Sequence, residues 1–131
     1  MSTLTTNARA PRPITAFRNG ARDYDAKAIA KYLGLKAAQV ARVLGADPST
    51  LSRNPATPKI RSRAAKLERV INLLAELYGD SDYAIAWLKT PSELWDEKGE
   101  QTAFDLMASE DWGLDFVLQT VEAMRRGDPS T

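Results

Sequence analysis

Residues 40–53 read VARVLGADPSTLSR, and this stretch decides the fold of the N-terminal half of the chain. Its apolar residues recur at helical spacing as far as Leu44, and Gly45 then permits the left-handed backbone that ends a helix. Asp47 and Pro48 favour a new helix directly afterwards, because Asp caps a helix N-terminus and Pro suits the first helical position. The stretch therefore predicts two short helices joined by a tight turn.

The spacing within this stretch is that of a helix-turn-helix motif. Such a motif needs a small residue where the second helix crosses the first, a turn residue that tolerates a left-handed conformation, and one apolar anchor on the second helix. Ala41, Gly45 and Leu51 supply these three features, and Val40 and Leu44 fill the core side. We therefore expect the second helix to present its remaining, polar face outward.

Helical periodicity continues on both sides of the motif. It predicts a helix over residues 25–33, a long one over 61–78, and further helices over 81–89, 102–108 and 111–126. No alternation of apolar and polar residues and no hairpin signal indicates a β-sheet. The predicted fold is all-α, an N-terminal helix-turn-helix bundle followed by a small helical domain.

The formal net charge of +1 conceals two oppositely charged halves. Residues 1–80 hold 14 Lys and Arg against 6 Asp and Glu, a net charge of +8, whereas residues 81–131 hold 4 against 11, a net charge of −7. This asymmetry favours two partners of opposite character, although charges that merely solvate the surface are the alternative. We divide the chain into a flexible basic arm (1–20), a helix-turn-helix domain (21–80) and a second helical domain (81–131).

The chain has 131 residues and neither Cys nor His, which excludes thiolate nucleophiles, disulfides, zinc ribbons and imidazole chemistry. Asp96, Glu97 and Glu100 lack the ligand spacing of a calcium loop, so we interpret them as a solvated acidic loop. We expect no catalytic residue, no metal and no cofactor. No stretch matches a signal peptide or a membrane-spanning helix, so the expected location is cytoplasmic.

The exposed face of the predicted third helix carries short hydroxyl donors and one guanidinium, and further bases follow it in the chain. Arg can grip a guanine edge through two hydrogen bonds, and Ser or Thr can bond bases or phosphates. The alternative is a helical bundle with a solvated basic face. The residues that we expect to contact DNA are Ser49, Thr50, Ser52, Arg53, Lys59, Arg61 and Arg63.

All three tryptophans lie in the acidic half of the chain. Tryptophan is most often a core residue in a small domain, but it also anchors protein interfaces. Trp87 lies within the apolar helical run YAIAWL and is expected in the core. Trp95 lies in a loop beside Pro91 and Leu94, and we expect it to be the exposed contact with a partner.

Residues 25–54 resemble the Xre-type helix-turn-helix of bacterial and phage repressors, on the segment VARVLGADPSTLSR. Residues 81–127 resemble the toxin-binding domain of the Xre/MbcA/ParS antitoxin family. The similar segments are AIAWLKTP and TAFDLMASEDWGLDFVLQTVEAMRRGD, in which a helix ends in Trp-Leu, Pro follows, and a short helix precedes a last helix that closes on Gly. Together the resemblance covers about residues 25–127.

The resemblance implies a bacterial type II antitoxin whose partner is a RES-domain toxin that consumes NAD. In that family the antitoxin's C-terminal region covers the entrance of the toxin's active site. Carried over to this chain, the covering residues are Met124, Arg125, Arg126, Gly127 and Asp128. Trp95 is added as a further contact because of its position in the loop. The two arginines have an alternative role, which is to complement the dipole at a helix C-terminus.

The expected function is therefore to neutralise a toxin and to repress the toxin's operon by binding operator DNA as a homodimer, because paired recognition helices read a palindrome. The alternative is a helix-turn-helix transcriptional regulator without a toxin partner. An enzyme that depends on carboxylates has little support.

Overall fold

The computed structural model describes residues 17–19, 23–53 and 57–127, and within these ranges the fold is all-α, as predicted. The helices are α1 (Ala26–Leu33), α2 (Ala37–Val43), α3 (Pro48–Arg53), α4 (Pro58–Tyr78), α5 (Ser81–Leu88), α6 (Ala103–Ser109) and α7 (Gly113–Arg125). Two-residue strands, β1 (Arg18–Asn19) and β2 (Asp23–Tyr24), form an antiparallel pair before α1.

The helix-turn-helix geometry forms where the sequence predicts it. Gly45 has φ +75° and lies in the left-handed region, so the backbone turns sharply after α2. Ala41 and Leu44 are completely or almost completely buried, and Leu51 is 7% exposed. These three side chains hold α2 and α3 together, because small and apolar groups at the crossing let the two short helices approach closely.

The long helix α4 begins three residues earlier than periodicity alone indicates. The Thr57 hydroxyl accepts a hydrogen bond from the Ile60 amide at 3.2 Å, and Pro58 occupies the first turn, where its missing N–H costs nothing. Gly79, at φ +78°, ends the helix. α4 therefore begins five residues after the end of α3 at Arg53.

Two helices of the acidic half, α5 and α6, are capped by short polar side chains. Asp80 caps α5 through the amide of Asp82, and Thr102 and Asp105 form a reciprocal capping box at the start of α6. The box satisfies two otherwise unpaired amides and fixes the direction of α6. α7 then begins at Gly113, whose backbone lies directly against that of α6.

The two oppositely charged halves share one hydrophobic core. α4 packs against α5 and α7, and α2 packs against α6, so apolar side chains before and after residue 80 belong to one buried cluster. The largest buried side chains of this cluster include Phe17, Leu33, Leu67, Ile71, Leu88, Phe104 and Met107. The change in net charge at residue 80 therefore does not coincide with a boundary in the hydrophobic core.

The structure corrects three details of the sequence prediction. Phe17, which was assigned to a flexible arm, is fully buried and meets Tyr32 edge to face at 5.8 Å between ring centroids, so the fold begins at or before residue 17. The β1–β2 pair has no alternating pattern because each strand is only two residues long. Val43 is buried in α2, a core position that the sequence prediction did not include. Residues 1–16, which carry most of the predicted arm, lie outside the described residues.

Candidate nucleic-acid and partner interfaces

The N-terminus of α3 is organised by the carboxylate of Asp47. Its Oδ1 accepts a hydrogen bond from the Thr50 amide at 2.8 Å and another from the Ser49 hydroxyl at 2.7 Å. These bonds, the Thr50 amide foremost, hold the pKa of the Asp47 carboxyl below its ordinary value of 3.8. The cap fixes where α3 begins, and it also engages the hydroxyl of Ser49, one of the predicted DNA contacts.

The depressed pKa of Asp47 leads to a prediction about acid stability. A carboxyl group whose folded pKa is lowered stabilises the fold above its unfolded pKa, and that contribution is lost as the pH falls through the folded value. We expect the difference in urea midpoint between the wild type and Asp47→Asn to stay constant from about pH 7 to pH 5, because Asp47 stays ionised there, and to shrink below about pH 4. A difference that does not change with pH contradicts the assignment.

The described polar side chains of α3 lie on its outer side, as the sequence predicts. Leu51 is buried, whereas Ser49 and Arg53 are exposed and Thr50 is half-buried. The Nε of Arg53 donates to the Ser49 carbonyl at 3.4 Å, one helical turn back, so the arginine rests along its own helix. The side chain of Ser52 lies outside the described residues.

The bases at the start of α4 lie beside the turn between α2 and α3. A Cβ placed on Gly45 would stand 2.7 Å from Cε of Lys59 and 3.1 Å from Cδ of Arg63, so both side chains cover this glycine. Lys59 and Arg61 are exposed. The folded chain therefore brings Lys59 and Arg63 to the motif, although 14 residues or more separate them from Gly45 in sequence.

The guanidinium of Arg63 has two partners within the fold, and both lie far from it in sequence. Its Nε donates to the Val43 carbonyl at 2.8 Å, and Nη1 donates to the Asp111 carbonyl at 3.3 Å. It thus satisfies a carbonyl at the end of α2 and joins it to the loop before α7. Sequence reasoning missed this role, because the two carbonyls lie 20 residues before and 48 residues after the arginine.

We expect Arg63→Met to lower the free energy of unfolding by about 1–3 kcal/mol, because a charged donor to two carbonyls is removed while the aliphatic stem is kept. Lys59→Met is the matched control. It removes an exposed charge on the same helix, and its effect should stay within about 0.5 kcal/mol. Urea unfolding of both variants measures the difference, and equal effects would assign Arg63 to the exposed basic surface alone.

Part of the charge asymmetry is neutralised within the chain. Lys66 meets Asp115 at 2.7 Å, Arg69 meets Glu122 at 3.1 Å, and both pairs join α4 to α7. All four side chains are partly exposed, and such pairs contribute only about 0–1 kcal/mol each. The basic half and the acidic half therefore serve as partners for each other along this helix pair, in addition to any external partner.

Of the predicted partner contacts at the C-terminus, some are engaged within the fold and others are exposed. Arg125 meets Glu76 of α4 at 3.6 Å, and Met124 is half-buried against the core. Arg126 and Gly127 are exposed, and Gly127 has φ +73°, which ends α7. Asp128 lies outside the described residues.

The three tryptophans are distributed differently from the prediction. Trp95, expected to be exposed, is only 7% exposed, because Trp87 and Phe116 meet it edge to face from two sides. Trp87 is half-buried, and Trp112 is 55% exposed. Sequence reasoning also did not single out Tyr83, which is exposed, although its spacing of four residues from Trp87 on one helix was an available signal.

Comparisons of this chain with protein-family models, with curated proteins and with solved structures found no match. Within the described ranges, no helix combines the length and the hydrophobicity that a bilayer crossing requires. The same part of the chain contains no group of three or more side chains suited to metal coordination. Asp96, in the acidic loop, instead accepts hydrogen bonds from the amides of Glu100 and Gln101.

Proposed function

We propose that the protein is the antitoxin of a type II toxin–antitoxin system, which binds operator DNA and neutralises a RES-type toxin. The observation that carries the proposal is the pair α2 and α3, in which one buried leucine anchors a short helix whose capped N-terminus and hydroxyl-bearing face are exposed. Such a helix has the size and polarity that a DNA groove accepts. The resemblance of both halves to one antitoxin family supports the same function.

The proposed contacts with DNA are of two kinds. Arg53 reads a base edge, and Ser49 and Thr50 bond bases or phosphates, because the N-terminus of a recognition helix points at the groove floor. Lys59 and Arg61 meet backbone phosphates. Because Arg63 is bound to two carbonyls of the fold, we assign it to positioning the start of α4 beside the motif. The active DNA-binding unit is a homodimer on a palindromic operator.

The proposed contact with the toxin uses the end of α7 and the residues that follow it. The side chain of Arg126 is exposed and forms no hydrogen bond or ion pair with any described residue, so its charge is available to a carboxylate of the toxin. Covering the toxin's active-site entrance with this segment excludes NAD from the toxin.

Co-expression with the product of the adjacent gene tests the function. The two proteins should co-purify as a stable complex, and expression of the neighbour alone should arrest growth that the present protein restores. If the neighbour is harmless and does not co-purify, the antitoxin proposal is wrong. Operator binding without a protein partner would then identify a transcriptional regulator.

DNA binding by the purified protein should weaken steeply with salt, because several phosphates are neutralised on binding. In this assay we expect Arg53→Ala to cost about 1–3 kcal/mol on the operator and to reduce discrimination at one base pair. Lys59→Ala is the control, since losing a phosphate contact weakens binding to all sequences alike. A uniform loss for Arg53→Ala would instead place its guanidinium on a phosphate.

A further inference from the structure

A cleft of about 320 Å³ opens between α5 and the loop that follows it, and we call it the aromatic cleft. It is lined by Tyr83 and Trp87, one helical turn apart on α5, by Pro91 and Ser92 of the loop, and by Trp95. Tyr83 is 53% exposed and Trp87 is half-buried. The cleft therefore offers aromatic surface to an incoming group at the surface of the acidic half.

The aromatic rings of the cleft are held in place by other rings. Trp87 meets Trp95 at 5.6 Å with an interplanar angle of 88°, and Phe116 of α7 meets Trp95 from its other side at 6.2 Å. Tyr83 rests against Tyr78 at 4.8 Å. Because edge-to-face and tilted contacts already fix the rings, the protein side chains lose little conformational freedom when a ligand stacks on them.

No charged side chain lines the cleft, but two acidic residues stand next to lining residues in sequence. Asp82 and Glu93 are the sequence neighbours of the lining residues Tyr83 and Ser92, and both are exposed. Neither side chain forms a hydrogen bond or an ion pair with another described residue. Lys89, the nearest base in sequence, donates to the Gly34 carbonyl at 3.5 Å, so its ammonium is directed to the end of α1.

We propose that the aromatic cleft binds an arginine side chain of the partner protein. A guanidinium is planar and weakly hydrated, so it stacks on aromatic rings, and the two carboxylates that adjoin the lining residues in sequence attract its charge. The same carboxylates repel phosphates and other anions. The cleft is large enough for one long side chain with part of its backbone. It is at the lower limit of the volumes that small-molecule sites of proteins have.

The identity of the partner as the toxin rests on the proposed function, but the recognition of a guanidinium does not. The cleft lies on α5 and its following loop, and the contact already proposed for the toxin lies at the end of α7. The partner would therefore be held at two places. The aromatic cleft would bind an arginine of the partner, and the end of α7 would offer Arg126 to a carboxylate of the partner. This opposite polarity gives the complex a unique orientation.

The first experiment titrates the full-length protein with N-acetyl-arginine amide and follows tryptophan fluorescence at constant ionic strength. N-acetyl-citrulline amide is the control ligand, because it has the same shape without the charge. Arginine should bind at least about fivefold more tightly, and this preference should disappear in Tyr83→Leu and persist in Tyr83→Phe, which keeps the ring. Equal affinity for the two ligands, or an unchanged preference in Tyr83→Leu, overturns the proposal.

The second experiment measures the affinity of the protein for the product of the adjacent gene. Tyr83→Leu should weaken the complex about tenfold, and Asp82→Asn should weaken it severalfold and reduce its dependence on salt. Trp112→Leu is the matched control, because Trp112 is equally exposed and meets another aromatic ring edge to face outside the cleft. A complex that tolerates Tyr83→Leu as well as it tolerates Trp112→Leu shows that the toxin does not use the cleft. If the wild-type proteins form no complex, the proposed function fails, and the arginine titration still decides whether the cleft binds a guanidinium.

Discussion

Leu51→Ala is expected to detach the third helix and to abolish specific DNA binding. Leu51 is the buried side chain of α3, 7% exposed, and truncating a buried leucine costs about 2–5 kcal/mol. Among its described side chains, this six-residue helix has no second buried anchor to compensate. Because α3 must be docked to enter a groove, we expect the affinity for operator DNA to fall by at least about 30-fold, the equivalent of about 2 kcal/mol.

Hydrogen exchange and DNA affinity locate the effect of Leu51→Ala. The amides of α3 should exchange faster in the variant, whereas those of α4 and α7 should keep most of their protection, because local opening leaves the rest of the core packed. Leu51→Met is the control, since it conserves side-chain volume and should cost less than about 1.5 kcal/mol. Unchanged DNA affinity in Leu51→Ala would show that α3 does not carry the interaction.

Gly113→Ala is expected to destabilise the protein by about 1–3 kcal/mol, because α7 begins in direct contact with the backbone of α6. A Cβ at Gly113 would overlap the Leu106 carbonyl oxygen, lie 2.8 Å from its carbon and 3.0 Å from Cα of Met107. These are main-chain atoms, which cannot move aside as a side-chain end can. The overlap must therefore be relieved by separating α6 from α7.

Helix propensity alone predicts the opposite sign for Gly113→Ala. The φ of Gly113 is not positive, and alanine at a helical position is normally about 0.5–1 kcal/mol more favourable than glycine. Gly79→Ala is an informative comparison, because its Cβ would meet nothing within 4 Å but its φ of +78° disfavours alanine by about 1–2 kcal/mol. Urea unfolding of both variants distinguishes overlap from conformation. A stabilised Gly113→Ala would mean that the two helices are not in close backbone contact.

The candidate DNA surface was largely predictable because its signals are local. The cap at Asp47, the turn at Gly45 and the anchor at Leu51 act within a few residues, and the structure places each as expected. Arg63 was assigned to the same surface by charge alone. Its two carbonyl partners lie at the end of α2 and in the loop before α7, and tertiary structure alone brings them to α4.

The candidate partner surface was less predictable, since the exposure of an aromatic side chain depends on what packs over it. Trp95 stands in a polar loop, yet it is buried because rings from α5 and α7 close over it. Tyr83, within an apolar helical run, is exposed, and the ring that meets it, Tyr78, is itself exposed. Burial of this kind is a property of the assembled helices.

The sequence by itself determined the all-α class, the helix-turn-helix motif, most helix ends and the opposite charges of the two halves. These properties follow from periodicity, capping and composition, whose physical causes act within one or two helical turns. Only the tertiary structure decided that the halves share one core, that Lys66 and Arg69 meet carboxylates of α7, and that an aromatic cleft opens on the acidic half. These features depend on contacts between residues far apart in sequence, and they form only when the helices pack.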